Sequence, residues 1–166
     1  MFKYLLPFFL LFLFLLASFI LWRINTRKYI SSDTVASAYD AWTQDKLLER
    51  LWGEHIHLGF YPSGHKNIDF RKAKVQFVHE LVRWSGLDKL PKGSRILDVG
   101  CGIGGSSRIL AKYYGFSVTG ITISPGQVKR ARELTPSELN CNFQLMDALD
   151  LKFEDGAFDA VWSVEA

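Results

Sequence analysis

The chain is predicted to be an α/β protein built on a doubly wound parallel sheet, preceded by a helical segment and one apolar helix at the amino terminus. Three observations predict it. Short apolar runs at Arg95–Val99, Ser117–Ile123, Asn142–Met146 and Phe158–Val164 alternate with helical stretches, the β-α-β-α-β order that a parallel sheet with crossover helices requires. A turn rich in glycine, Gly100 to Gly105, joins the first strand to the helix after it. Six of the 13 phenylalanines fall within the first 19 residues, ahead of any acid.

Tyr4 to Trp22 is a run of 19 residues without a charge, rich in Leu and Phe. As a helix rising about 1.5 Å per residue it reaches roughly 28 Å, close to the ~30 Å hydrocarbon thickness of a bilayer. Pro7 sits near its start, where a missing backbone donor costs least. A cleaved secretory signal fits less well: the run outlasts an h-region, and Ala17 to Trp22 offers no small-x-small cleavage site. A buried core helix rarely carries so few polar residues. Residues 1–28 are therefore expected to be a single-pass membrane anchor, inserted through residues 4–22. Arg23, Arg27 and Lys28 follow the span, against Lys3 and the amino terminus before it. The positive-inside tendency then places the remainder on the cytoplasmic or stromal side.

The 166 residues suffice for one domain of ordinary size. At 48% hydrophobic and 22% charged they exclude a disordered chain and a polytopic membrane protein. The net charge of +3 belongs to the anchor and its flank, because beyond residue 28 the remaining 16 Lys and Arg face 17 acids. Nucleic-acid binding has no electrostatic basis here. Cys101 and Cys141 form no CxxC and have no His at ligand spacing, so neither a disulfide framework nor a metal site is expected.

Residues 29–90 read as a helical segment on the substrate side. Tyr29 to Ser32 is a short linker, and Asp33 can cap a helix running to Trp52 with Val35, Tyr39, Trp42, Leu47, Leu48 and Leu51 on its apolar face. Gly59, Pro62 and Gly64 mark a loop over residues 55–66. A second helix runs from Phe70 to Trp84 with Phe70, Ala73, Phe77 and Leu81 in one stripe; Asp69 is its N-cap and Gly86 ends it. Residues 91–166 hold the sheet. The chain stops directly after the fourth strand, and a parallel strand is normally paired and covered on both sides. They are expected to be the first half of a longer domain, incomplete at its carboxyl end.

Gly100, Gly102 and Gly105 satisfy GxGxxG, the pattern of a dinucleotide loop. Two details oppose that ligand. No acid occurs between Asp98 and Glu133 to meet a ribose at the end of the second strand. Asp98, at the loop mouth, would repel a pyrophosphate and suits a cationic group such as an amino acid's ammonium.

Asp98-Val-Gly-Cys-Gly-Ile-Gly-Gly105 resembles the first motif of the class I S-adenosylmethionine-dependent methyltransferases, which have a Rossmann-like fold. The longer run from Ile96 through Gly120-Ile-Thr-Ile-Ser-Pro-Gly-Gln127 resembles the tocopherol and plastoquinone branch of that family. Ala38-Tyr39-Asp40, the Trp52–Tyr61 block and Val161–Ala166 share the resemblance. It implies S-adenosylmethionine as cofactor, with Asp98, Gly100, Gly102 and Gly104 along its methionine part. Thr122 and Gln127 take the place of the usual ribose acid, although Ser124 to Gln127 is also a good capping box. Asp147 resembles the acid that meets the adenine amino group, and Tyr39 the tyrosine of a lid helix. Cys101 reads as a small loop residue and not as a nucleophile.

The implied activity is methyl transfer to a ring carbon of a prenylated or phytylated benzoquinol. A γ-tocopherol, sterol or other lipid methyltransferase, and a cofactor-binding module without activity, are the alternatives. A phenolic ring becomes nucleophilic when its hydroxyl is polarised, and a base must later remove the ring proton. His55, His57 and Glu165 are the candidates, with Glu54 beside them. Two residues apart on an extended segment, the histidines would point to opposite faces. A membrane anchor independently favours a substrate that stays in the bilayer.

Overall fold

The computed structural model describes residues 2–25, 31–44, 46–63 and 67–166. The chain divides into two units, Met1–Thr34 and Val35–Ala166. In the first, α1 runs over Phe2–Asn25, and every side chain from Phe9 to Trp22 is exposed. Among the described residues no helix is long and apolar enough to cross a membrane. The expected anchor, residues 4–22, falls partly outside the described side chains, which begin at Phe9; Arg27, Lys28, Tyr29 and Gly64 lie outside the described residues.

The single helix expected from Asp33 to Trp52 is two helices, α2 (Ser32–Gln44) and α3 (Leu47–Trp52). Lys46 between them is left-handed with φ 55°, which a continuing right-handed helix excludes. α4 (Phe70–Ser85) starts at Asp69, whose carboxylate accepts the backbone N–H groups of Arg71 and Lys72 at 3.0 and 3.1 Å. It ends at Gly86, left-handed at φ 74°. Its buried face is Ala73, Lys74, Val78 and Val82, one residue round from the expected stripe, so Phe70, Phe77 and Leu81 are only half-buried.

Four parallel strands follow: β1 (Arg95–Val99), β2 (Ser117–Thr122), β3 (Cys141–Leu145) and β4 (Ala160–Ser163), in the order β3-β2-β1-β4. α5 (Gly105–Tyr114) links β1 to β2, and α6 (Pro125–Leu134) links β2 to β3. β4 is shorter than predicted; just before it Asp159 is tied to the start of β1, its carboxylate accepting the Arg95 backbone N–H at 2.7 Å and pairing with the Arg95 guanidinium at 2.9 Å. One core cluster joins Val78 and Val82 of α4 to Ile96, Val118 and Trp162 of the sheet and Leu110 of α5. A second joins Cys101 and Phe143 to Val128 and Ala131 of α6.

This topology positions the site. β1 is central, with β2 and β4 on either side, so the strand order reverses there. Ligands of open parallel sheets collect outside the carboxyl ends of the strands at that reversal. The register sets Asp98 between Gly120 and Trp162.

Candidate cofactor cleft

A cleft of about 450 Å³ opens at the carboxyl ends of the strands, a size typical of small-molecule sites. Its floor is the glycine turn. Gly100, Gly102 and Gly104 have φ of 70°, 55° and 81°, a backbone course that other residues resist. A Cβ on Gly102 would meet nothing within 4 Å, so the bare backbone there borders open space. Gly104 stands outside the lining. The place of its missing Cβ is filled by the Phe143 ring at 2.6 Å and the Arg108 guanidinium at 2.9 Å. Its need for glycine therefore lies in packing.

Asp98 is 2% exposed, and its Oδ2 accepts from the Ser107 hydroxyl at 2.5 Å. No cation of the described residues pairs with it, and burial pushes its carboxyl up to about 7. On the β2 side, the Thr122 hydroxyl donates to Gln127 Oε1 at 2.7 Å. Gln127 Nε2, which has no protein partner among the described residues, is left free to donate. Ser124 caps α6 as the capping pattern predicts, accepting the Gln127 N–H at 3.1 Å. Asp147 folds the loop after β3 by accepting the Leu149 N–H at 2.9 Å. Thr122, Gln127, Asp147 and Tyr39 all line the cleft.

The opposite wall is the Trp52–Tyr61 loop. His55, His57 and Glu165 line the same cleft. The expectation that the two histidines face apart is corrected: His57 Nε2 and His55 Nδ1 are 3.1 Å apart, with the rings edge to face. The loop bends at Glu54 and His57 and is not an extended strand, so the alternation of side chains does not apply. Burial lowers the pKa of both, His55 to about 3 with the His57 charge adding to the effect. Both rings are neutral at pH 7, and their tautomers follow. His57 Nδ1 lies 2.7 Å from the Leu58 carbonyl, which can only accept, so Nδ1 carries the proton. His57 Nε2 must then accept from His55 Nδ1–H, leaving His55 Nε2 unprotonated. Glu165, left-handed at φ 50°, accepts the Leu58 N–H at 3.2 Å. Cys101 is buried, and burial first, then Asp98, pushes its thiol far up; it is inert.

Residues 96–166 match the methyltransferase domain family. Over 146 residues the chain is 60% identical to the 2-methyl-6-phytyl-1,4-hydroquinone methyltransferase of Synechocystis sp., covering 88% of this chain and 46% of that protein. It is 43% identical over 135 residues to the chloroplastic tocopherol O-methyltransferase of Arabidopsis thaliana, covering 72% of this chain and 37% of that one. The chain thus spans less than half the length of these relatives. Among solved structures, the [4+2]-cyclase SpnF superposes with a TM-score of 0.68 at 31% identity, over 80% of this chain and 48% of that one. The chain belongs to the class I S-adenosylmethionine-dependent methyltransferases.

The cofactor of this methyltransferase family is S-adenosylmethionine, and the cleft fits it. A buried carboxylate whose one partner is a hydroxyl calls for a cation, and the amino-acid end of the cofactor carries an ammonium. Open space over Gly102 admits its backbone, and the Gln127 amide offers a donor to ribose hydroxyls.

Sequence reasoning missed the residues that hold the cleft wall. Lys74 is 4% exposed and donates to the carbonyls of Trp52 and His55 at 3.0 and 2.8 Å. Arg108 pairs with Glu54 at 2.6 Å and donates to the Ile103 carbonyl at 2.7 Å. Gly59 packs on Ala73, where a Cβ would come within 2.7 Å of the Ala73 Cβ. Asp40 accepts from the Ser124 hydroxyl and, at 2.9 Å, from the Gly126 N–H, fastening the carboxyl half of α2 to the start of α6 beside Tyr39. A lysine within the apolar stripe of a predicted helix was the available signal for Lys74.

Proposed function

We propose that the protein is a membrane-anchored methyltransferase that moves a methyl group from S-adenosylmethionine to a ring carbon of a prenylated or phytylated benzoquinol. The observation that carries this reading is the Trp52–Tyr61 loop, the block that resembles the tocopherol and plastoquinone branch. It forms the wall of the cofactor cleft and presents His55 and His57 to it. Fold alone cannot select the reaction, since the cyclase has the same architecture.

When bound, S-adenosylmethionine supplies a methyl electrophile on a sulfonium. The chain's own residues do the rest by positioning and electrostatics. Asp98 holds the ammonium, Gly100 and Gly102 line the methionine part with bare backbone open at Gly102, Thr122 and Gln127 meet the ribose, and Asp147 meets the adenine. Tyr39 closes over the cofactor from its lid helix. His55, neutral and with Nε2 free, accepts the ring proton; His57 fixes its tautomer, and Glu165 secures the loop at Leu58.

The anchor belongs to the same reading. The described side chains of α1, Phe9 to Trp22, are all exposed and, apart from Ser18, apolar, which suits lipid as their surroundings. We place one pass through residues 4–22 and the cleft on the cytoplasmic or stromal face, where a quinol with a long tail is presented at the membrane surface. Deleting residues 1–28 is expected to move the protein from the membrane pellet to the supernatant after a carbonate wash; continued sedimentation would remove the anchor from the proposal.

The test of function is incubation of membranes carrying the protein with methyl-labelled S-adenosylmethionine and 2-methyl-6-phytyl-1,4-benzoquinol, followed by product mass. The expected product has one added methyl on carbon. Methylation of γ-tocopherol or a sterol alone selects the alternative substrates, and cofactor binding without transfer to any of them selects a binding module.

A further inference from the structure

Behind the Trp52–His55 loop lies a second cavity, of about 480 Å³, between α4 and α5. Its lining is unlike that of the cofactor cleft. Arg71, Lys74, Arg108 and Lys112 supply four cations, and Glu54 is the single acid among the lining residues. Arg108 already neutralises Glu54 at 2.6 Å. Among the described residues the other three cations make no ion pair, and Glu165 acts on Lys74 only through its charge, less strongly than burial and Arg71. Arg71 donates to the carbonyls of Arg50 and Leu51 at 2.9 and 3.2 Å. Lys74 donates to the Trp52 and His55 carbonyls and lies 4.7 Å over the Trp52 ring. Lys112 lies 5.4 Å over the Tyr113 ring.

A cation that is 4% exposed and has no hydrogen-bonded carboxylate is costly to keep charged. Burial first, then the neighbouring Arg71 charge, holds the Lys74 ammonium below its ordinary pKa. Two of its three donors are used, so one remains for a further acceptor. The remaining walls are apolar, from Val75, Ile109, Leu134 and Leu139. An excess of positive charge, four cations to one acid, in a chamber with apolar walls is the complement of a molecule with an anionic head and an apolar body.

We propose that this cavity is a binding site for an anionic amphiphile, a carboxylate, sulfonate or phosphate on an apolar body, held by Lys74, Arg71 and Lys112 against Val75, Ile109 and Leu139. Glu54, His55 and Gly105 line both this cavity and the cofactor cleft, so the loop between them contacts both occupants.

The experiment uses the full chain in nanodiscs of neutral phosphatidylcholine, with 2-naphthoate as the probe, 2-naphthol as its uncharged counterpart and inorganic phosphate as an anion without the apolar body. Binding is read by calorimetry and by tryptophan fluorescence against a Trp52→Phe control. 2-Naphthoate is expected to bind saturably with S-adenosylhomocysteine already at saturation. 2-Naphthol and phosphate should each bind at least about tenfold more weakly, the scale of one lost charge-assisted contact. Lys112→Glu, at an exposed position, should weaken the probe by a similar factor without changing the melting temperature, and Lys74→Met should do so more strongly. Equal binding of 2-naphthol, an unaffected Lys112→Glu variant, or displacement by S-adenosylhomocysteine would each overturn the site. Adding phosphatidylglycerol to the nanodiscs identifies the source of the ligand. Weaker 2-naphthoate binding supports a bilayer lipid headgroup reaching the cavity; unchanged binding supports a soluble acid.

Discussion

Asp98→Asn is expected to weaken S-adenosylmethionine binding while making the cofactor-free protein more stable at pH 8. The two effects share one cause. Asp98 is buried with one hydroxyl partner, and burial raises its carboxyl from 3.8 to about 7. Below pH 3.8 the group is protonated whether folded or unfolded and costs nothing. Between pH 3.8 and 7 the unfolded chain ionises while the folded one holds its proton, so stability is lost as pH rises. Above pH 7 the full cost stands, on the order of 4 kcal/mol for a displacement of this size. Asparagine matches the shape, still accepts from Ser107, and carries no charge to bury. Thermal unfolding of the variant should therefore exceed that of the parent at pH 8, with the gain shrinking toward zero near pH 4.

Cofactor binding runs the other way. In the proposed function the ammonium of S-adenosylmethionine supplies the counter-charge that the buried carboxylate lacks. Removing that carboxylate leaves the cation unpaired and should cost roughly 2–4 kcal/mol, or about 30- to 1,000-fold in affinity. In the parent, affinity should fall by about tenfold per unit of pH below the Asp98 pKa and level off above it; the asparagine variant should lack this limb. Calorimetric titration from pH 5.5 to 8.5 measures both. An Asp98→Asn protein that binds with undiminished affinity would remove Asp98 from the cofactor.

This part of the molecule was legible because it is local. Strand, acid, glycine turn and helix lie within one contiguous stretch, and the spacing from Asp98 to Gly105 dictates their arrangement. The capping residues Asp69 and Ser124, and the glycine end at Gly86, were legible for the same reason. The cleft wall was not. Lys74 reaches back to His55, Arg108 to Glu54 and Asp40 to Ser124, contacts that bridge 19, 54 and 84 positions. No periodicity encodes such pairings. The facing of the histidines failed for a related reason: alternation holds for a regular strand, and this loop takes its course from Lys74 and Gly59 instead. The break at Lys46 had no glycine or proline to announce it.

The second large effect concerns that pair. His55→Gln is expected to lower turnover by about 10²- to 10⁴-fold, the usual contribution of a positioned base, while S-adenosylhomocysteine affinity stays nearly unchanged. A histidine held at about 3 is a weak base, too weak to ionise a phenol in advance of methyl transfer. It suffices for the later step, because a ring carbon that has gained a methyl group holds its proton as a strongly acidic cation. The low pKa also keeps Nε2 free throughout the physiological range. The His55 ionisation itself should therefore leave no limb in turnover at saturating cofactor between pH 5 and 8, while kcat/KM for S-adenosylmethionine carries the Asp98 limb near 7. His57 separates orientation from basicity. His57→Ala removes the acceptor that holds the His55 Nδ1 proton and should lower turnover nearly as far as His55→Gln. His57→Gln restores a carbonyl oxygen at that place and should recover part of the loss. If neither histidine variant slows turnover, the loop only walls the cleft; if His57→Gln is as slow as His57→Ala, the tautomer is not what His57 controls.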